Sequence, residues 1–85
     1  MPEISRFYGI VIMMFFEDHN PPNFHVKYND MKAIIDINNG TVTGTLPRRV
    51  ISMVFEWLDL HKEELLKNWE LLKTSNQPNG IAPLV

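Results

Sequence analysis

The chain has 85 residues, 45% of them hydrophobic and 21% charged, with no cysteine and a formal net charge of −2. That length allows one domain, and a domain so small buries roughly 60–65% of its unfolded surface, leaving little stability margin. Lack of cysteine excludes disulfides, thiolate nucleophiles and thiolate zinc sites. The charge excludes a globally basic nucleic-acid binder but leaves room for a local anion-binding patch.

The charge is unevenly divided. Residues 1–54 carry five basic and five acidic side chains, whereas residues 55–85 carry three basic and five acidic ones, so the whole deficit lies in the second part. Pro2 and Glu3 stand where a signal peptide would have a basic stretch. The apolar run Ile10 to Phe16 is far short of the ~20 residues that span a bilayer. A soluble cytoplasmic protein without membrane contact is expected.

In chain order, Phe7 to Phe16 is almost wholly apolar and rich in aromatic and β-branched types, which predicts a strand covered on both faces, or a long first strand. It stops at Glu17-Asp18-His19-Asn20-Pro21-Pro22, where two prolines remove backbone donors and predict a fixed loop. Phe24 to Tyr28 alternates, with His25 and Lys27 opposite Phe24, Val26 and Tyr28. A turn at Asn29-Asp30 leads to a strand over Lys32 to Ile37, and Asn38-Asn39-Gly40 signals a second turn. Thr41 to Thr45 completes a four-stranded antiparallel meander.

After Pro47 the period changes. Val50, Val54, Trp57, His61, Leu65, Trp69 and Leu72 recur at spacings of three or four, which is one helical stripe. A straight helix from Pro47 to Lys73 would be about 40 Å long, too long for a domain whose radius of gyration should be near 12 Å. A bend or short turn near Leu60 to Glu63 is therefore expected, giving two helices or one bent helix packed on one face of the sheet. Glu63, Glu64 and Lys73 suit the dipole of a second helix. The class is α+β, with a single domain over residues 1–75. Residues 76–85 form a tail that docks or serves as a linker, since apolar Ile81-Ala82-Pro83-Leu84 follows polar Thr74 to Gly80.

Several residues are candidates for chemistry. His19 and His25 are joined by a proline-stiffened segment, and restrained geometry is what an acid–base or ligand pair needs. Glu17 or Asp18 would add a carboxylate, but a metal site needs a third ligand that no spacing specifies, so no metal or cofactor is expected. The alternative is that His19 bonds loop carbonyls and His25 is a half-buried strand residue. Arg48 and Arg49 follow Pro47 at a helix start, where free N–H groups favour anions, and so form a candidate phosphate or carboxylate clamp; extension into solvent or pairing with Glu17, Asp18 or Asp36 is the alternative. Arg6 and Tyr8 flank the first strand and are placed on the face of His25. His61, Trp57 and Trp69 read as packing residues, as do the methionines. Ser5, Ser52 and Ser75 lie outside any nucleophile motif, which sets aside serine hydrolysis.

The segments Met1-Pro-Glu-Ile-Ser-Arg-Phe-Tyr-Gly-Ile10, Asp18-His-Asn-Pro-Pro-Asn-Phe-His-Val26, Leu46-Pro-Arg-Arg49, Trp57, His61 and Glu64-Leu-Leu-Lys-Asn-Trp69 resemble the bacterial domain of unknown function 4160 family. Its loop usually reads His-Asn-Pro-Pro-His-Phe-His; Asn23 replaces the middle histidine here, which removes one member from any three-histidine mechanism. The resemblance implies a small bacterial protein encoded beside, or fused to, the domain of unknown function 2442 family, in a layout similar to toxin–antitoxin operons. Ile81-Ala-Pro-Leu84 is similar to the joint that precedes the partner domain in fused members.

The leading expectation is a non-catalytic protein-interaction module, one half of a toxin–antitoxin-like pair, whose binding residues are Arg6, Tyr8, His19, His25, Arg48 and Arg49. Strand addition at a sheet edge is one route to its partner. The second is a small metal-independent ribonuclease, with His19 and His25 as base and acid and Arg48 and Arg49 on the phosphate. A DNA-binding regulator ranks third, because no helix carries a basic recognition face.

Overall fold

Five strands and one helix follow one another in the computed structural model, which describes residues 3–16 and 19–85. The strands are β1 (Glu3–Phe7), β2 (Ile10–Met13), β3 (Asn23–Tyr28), β4 (Met31–Asp36) and β5 (Val42–Gly44), and the helix is α1 (Arg48–Lys73). Spatial order equals chain order, and every neighbouring pair is antiparallel, so the sheet is a meander.

The meander has five strands rather than four. The apolar run expected as one strand begins with a turn at Tyr8 and Gly9, whose φ values of 51° and 78° are both positive. Two consecutive positive φ values are what a tight hairpin needs to match the twist of its strands. Tyrosine seldom adopts one, so the turn is disguised by an aromatic residue inside an apolar stretch. The later turns are chemically overt: Asn29 has φ 54° and Gly40 φ 75°. Asp36 Oδ1 accepts the Asn38 and Asn39 N–H groups at 2.8 and 2.9 Å.

One face of the sheet is apolar apart from buried Ser5 of β1, which lies opposite Ile12. Ile10 lies opposite Tyr28, Ile12 opposite Val26, Val26 opposite Ala33 and Phe24 opposite Ile35. Onto this face α1 buries Val50, Val54, Trp57, Leu58, Leu65, Trp69 and Leu72. Trp57 is central, with Phe7 and Phe24 rings at 5.5 and 5.8 Å.

The helix is single but bent. His61 has φ −125° and ψ 19°, outside helical values, and no turn separates two helices. The break falls within the stretch where the length argument requires one: the radius of gyration is 11.7 Å and the longest extent 34 Å. Pro47 precedes α1, and its carbonyl accepts the N–H groups of Val50 and Ile51, both at 3.0 Å.

The tail is tied down by backbone bonds. The Ile81 N–H donates to the Ile4 carbonyl at 2.8 Å, and Trp57 Nε1 donates to the Ala82 carbonyl at 2.8 Å. Asn68, buried in α1, treats Asn79 as a strand neighbour would: its Nδ2 donates to the Asn79 carbonyl at 2.9 Å, and its Oδ1 accepts the Asn79 N–H at 2.8 Å. Ile81 and Leu84 are buried by this arrangement.

Candidate functional site: the sheet face opposite the helix

Strand alternation sends His25 and Lys27 to the face that α1 does not cover, and the register extends that face into rows. Arg6 pairs with Val11, Val11 with Lys27, and Lys27 with Lys32, which gives a row containing three cations. The next row is mixed, with apolar Met13 and Ile34 among polar neighbours: Glu3 pairs with Met13, Met13 with His25, His25 with Ile34, and Ile34 with Thr43. Directly opposed residues share a face, so both rows look away from the helix.

Against this face lies a cavity of about 740 Å³ whose lining includes Met13, Phe15, Phe16, His19, His25 and Ile34, with Lys27 and Lys32 at the adjoining row. The Phe15 ring meets His25 edge-on, with centroids 4.5 Å apart. The loop before β3 brings His19 to the same cavity. Its Asn20–Pro21 peptide is cis, and Pro22 accepts the Ile37 N–H at 2.9 Å. Asn23 fastens the loop from within, its Nδ2 donating to the carbonyls of Pro21 at 2.9 Å and His19 at 3.2 Å. Asn23 is thus an organiser of the loop. Glu17 and Asp18, the carboxylates considered beside these histidines, lie outside the described residues.

Electrostatically the cationic row is only partly neutralised. Arg6 makes a two-pronged bond to Glu3, at 3.0 Å from Nε and 2.8 Å from NH2. That hydrogen bond, together with the guanidinium's charge, holds the Glu3 carboxyl below its ordinary value and raises Arg6. Lys27 and Lys32 form no ion pair among the described residues. Like charges placed directly opposite each other destabilise a strand pair, so this pair stands against local preference.

The structure brings together some of the residues singled out in the sequence and separates others. His19 and His25 share the cavity, and Arg6 shares their face. Tyr8 is exposed in the β1–β2 turn. Arg48 and Arg49 begin α1 in the other layer and do not join the histidines. Arg49 donates instead to the Tyr28 hydroxyl at 2.7 Å with its Cζ 5.5 Å from that ring, on the helix-covered face. Their sequence spacing carried no information about which layer the helix occupies. His61 is the bend residue, with Nδ1 2.6 Å from Glu64 Oε1 and its ring 5.6 Å from Trp57.

Lys27, Lys32, Phe15, Phe16 and Ile34 were not anticipated as site residues. Alternation already put Lys27 beside His25 and Lys32 beside Ile34; only the register between β3 and β4 joins the two sets. Among the described residues, no three of His, Asp and Glu gather as a metal-binding group. No described helix is long and apolar enough to cross a membrane.

The fold and this face define a small α+β domain with a five-stranded meander, one side roofed by a bent helix and the other left open. The family described as Domain of unknown function (DUF4160) matches residues 9–70, and the chain belongs to it. Comparison with curated proteins and with solved structures found no match.

Proposed function

We propose that the protein is a non-catalytic interaction module that receives a protein partner on its open sheet face, as one half of a toxin–antitoxin-like pair acting in the cytoplasm. The observation that supports this reading is the exposed apolar pair on that face. A domain so short of core nevertheless leaves Ile34 40% and Phe16 39% exposed beside Met13 and His25. Contiguous apolar surface framed by polar groups marks interaction sites. The face suits a partner better than the edges do: β1 is tied to the tail at Ile4, and β5 has only three residues. The partner is a protein encoded nearby, of the domain of unknown function 2442 kind. Co-purification with that neighbouring gene product tests the reading. A complex lost in Ile34→Asp supports it; no complex at micromolar concentration counts against it.

A second reading, the metal-independent ribonuclease, is favoured by one observation: His19 and His25 line a single cavity. Arg48 and Arg49 do not reach it, so phosphate would be held by Lys27 and Lys32. Growth arrest on expression of the protein alone, relieved by His25→Ala, supports this reading. Harmless expression with no RNA cleavage sinks it.

A further inference from the structure

Resting on the interaction reading above, we infer that the segment docked on the open sheet face is an amphipathic stretch of a protein partner with carboxylates along one side, and that Lys27 and Lys32 are the residues that select it. The face has two parallel rows of different chemistry. The row through Met13, His25 and Ile34 is apolar at Met13 and Ile34 and ends in Glu3 and Thr43, whereas the neighbouring row carries Arg6, Lys27 and Lys32. Adjacent strands are about 4.8 Å apart and same-face neighbours along a strand about 6.7 Å apart, so one extended or helical segment can cover both rows at once. Its apolar side would meet Met13, Phe16 and Ile34, and its acidic side the lysines.

Charge complementarity argues for carboxylates. Arg6 is already bonded to Glu3, but Lys27 and Lys32 face each other without an ion pair among the described residues. An acidic side chain placed between them would relieve their mutual repulsion, and relief available only in the complex contributes to affinity and steers encounter. Phosphates would also satisfy the lysines, and the exposed Phe16 offers a ring on which a base can stack. The exposed aliphatic Ile34 matches an apolar side chain better than a nucleotide, and the RNA arm of the test separates the two.

The test titrates the isotopically labelled protein with three probes: a short leucine–glutamate amphipathic peptide, the same peptide with glutamine for glutamate, and a short single-stranded RNA. The expected result is that the glutamate peptide shifts the amides of Met13, His25, Lys27, Lys32 and Ile34. The glutamine peptide should bind the same face at least about tenfold more weakly. The doubly substituted Lys27→Gln/Lys32→Gln, which keeps side-chain length and should keep the fold, should erase that difference. Equal binding of both peptides to this face overturns the charge selection and leaves the interaction reading standing. Shifts on the face with RNA but with neither peptide overturn both. No shift with any probe also overturns the inference, while co-purification with the neighbouring gene product still decides the interaction reading by itself.

Discussion

Lys27 and Lys32 stand directly opposite each other in the β3–β4 register, on the sheet face that the helix leaves open. A like-charge pair in that position opposes folding, by roughly 0.2–1 kcal/mol in cross-strand series. Lys32→Glu should therefore stabilise the isolated protein by an amount in that range, seen as a higher denaturant midpoint. The gain should shrink in high salt, because the pair is exposed and screened. The same substitution should weaken partner binding. A variant more stable but less able to bind is the pattern expected of a surface kept for recognition.

Asn68 and Asn79 exchange two hydrogen bonds, one of them holding the tail's N–H and the other its carbonyl. Asn68→Ala leaves both backbone groups without that partner and should cost about 1–3 kcal/mol. Amide exchange should localise the damage. Ile81, whose N–H bonds to Ile4, should lose protection before the strands do.

Gly44 has φ 118°, and a Cβ there would lie 2.4 Å from the Lys32 carbonyl oxygen and 2.8 Å from Ala33 Cα. Both are backbone atoms, so no side-chain rotation relieves the clash. Gly44→Ala should destabilise by about 1–3 kcal/mol or more, and denaturant titration measures it. The loss should appear first as exchange at the β4–β5 pairing, which is the shortest in the sheet.

Glu3 carries the clearest pH dependence. Its hydrogen bond to Arg6, with the guanidinium's charge, sets the folded pKa below the ordinary value of 4.5. Folding is therefore favoured by this pair above that ordinary value, and the contribution is lost as pH falls through the lower folded one. The pair is exposed, so the stability effect is small. The pKa itself is the better readout: Arg6→Ala should return the Glu3 titration, followed by NMR, toward its ordinary position.

The sequence was legible wherever a period or a turn residue dominated. β3, β4 and β5 follow from alternation and from the turns at Asn29-Asp30 and Asn38-Asn39-Gly40, and α1 follows from its apolar stripe. The β1–β2 hairpin was hidden because Met13 is buried on the open face and Val11 half-buried there, which erases alternation. Its turn also places Tyr8 at positive φ. For the site, the proline-stiffened loop runs between His19 and His25, which line one cavity. The separation of Arg48 and Arg49 was not legible, since it depends on which side of the sheet the chain crosses after β5. Asn68 lay on the stripe, three residues after Leu65 and four before Leu72, but its polarity concealed its burial.

The central claim is that the open sheet face, and not the helix, receives the partner. Amide-shift mapping of the labelled protein mixed with the neighbouring gene product tests it most directly. The account predicts a footprint on Met13, His25, Lys27, Lys32 and Ile34, with the exposed helical residues Glu56, Asp59 and Glu63 unmoved. A footprint on those helical residues with the sheet face unchanged would contradict it.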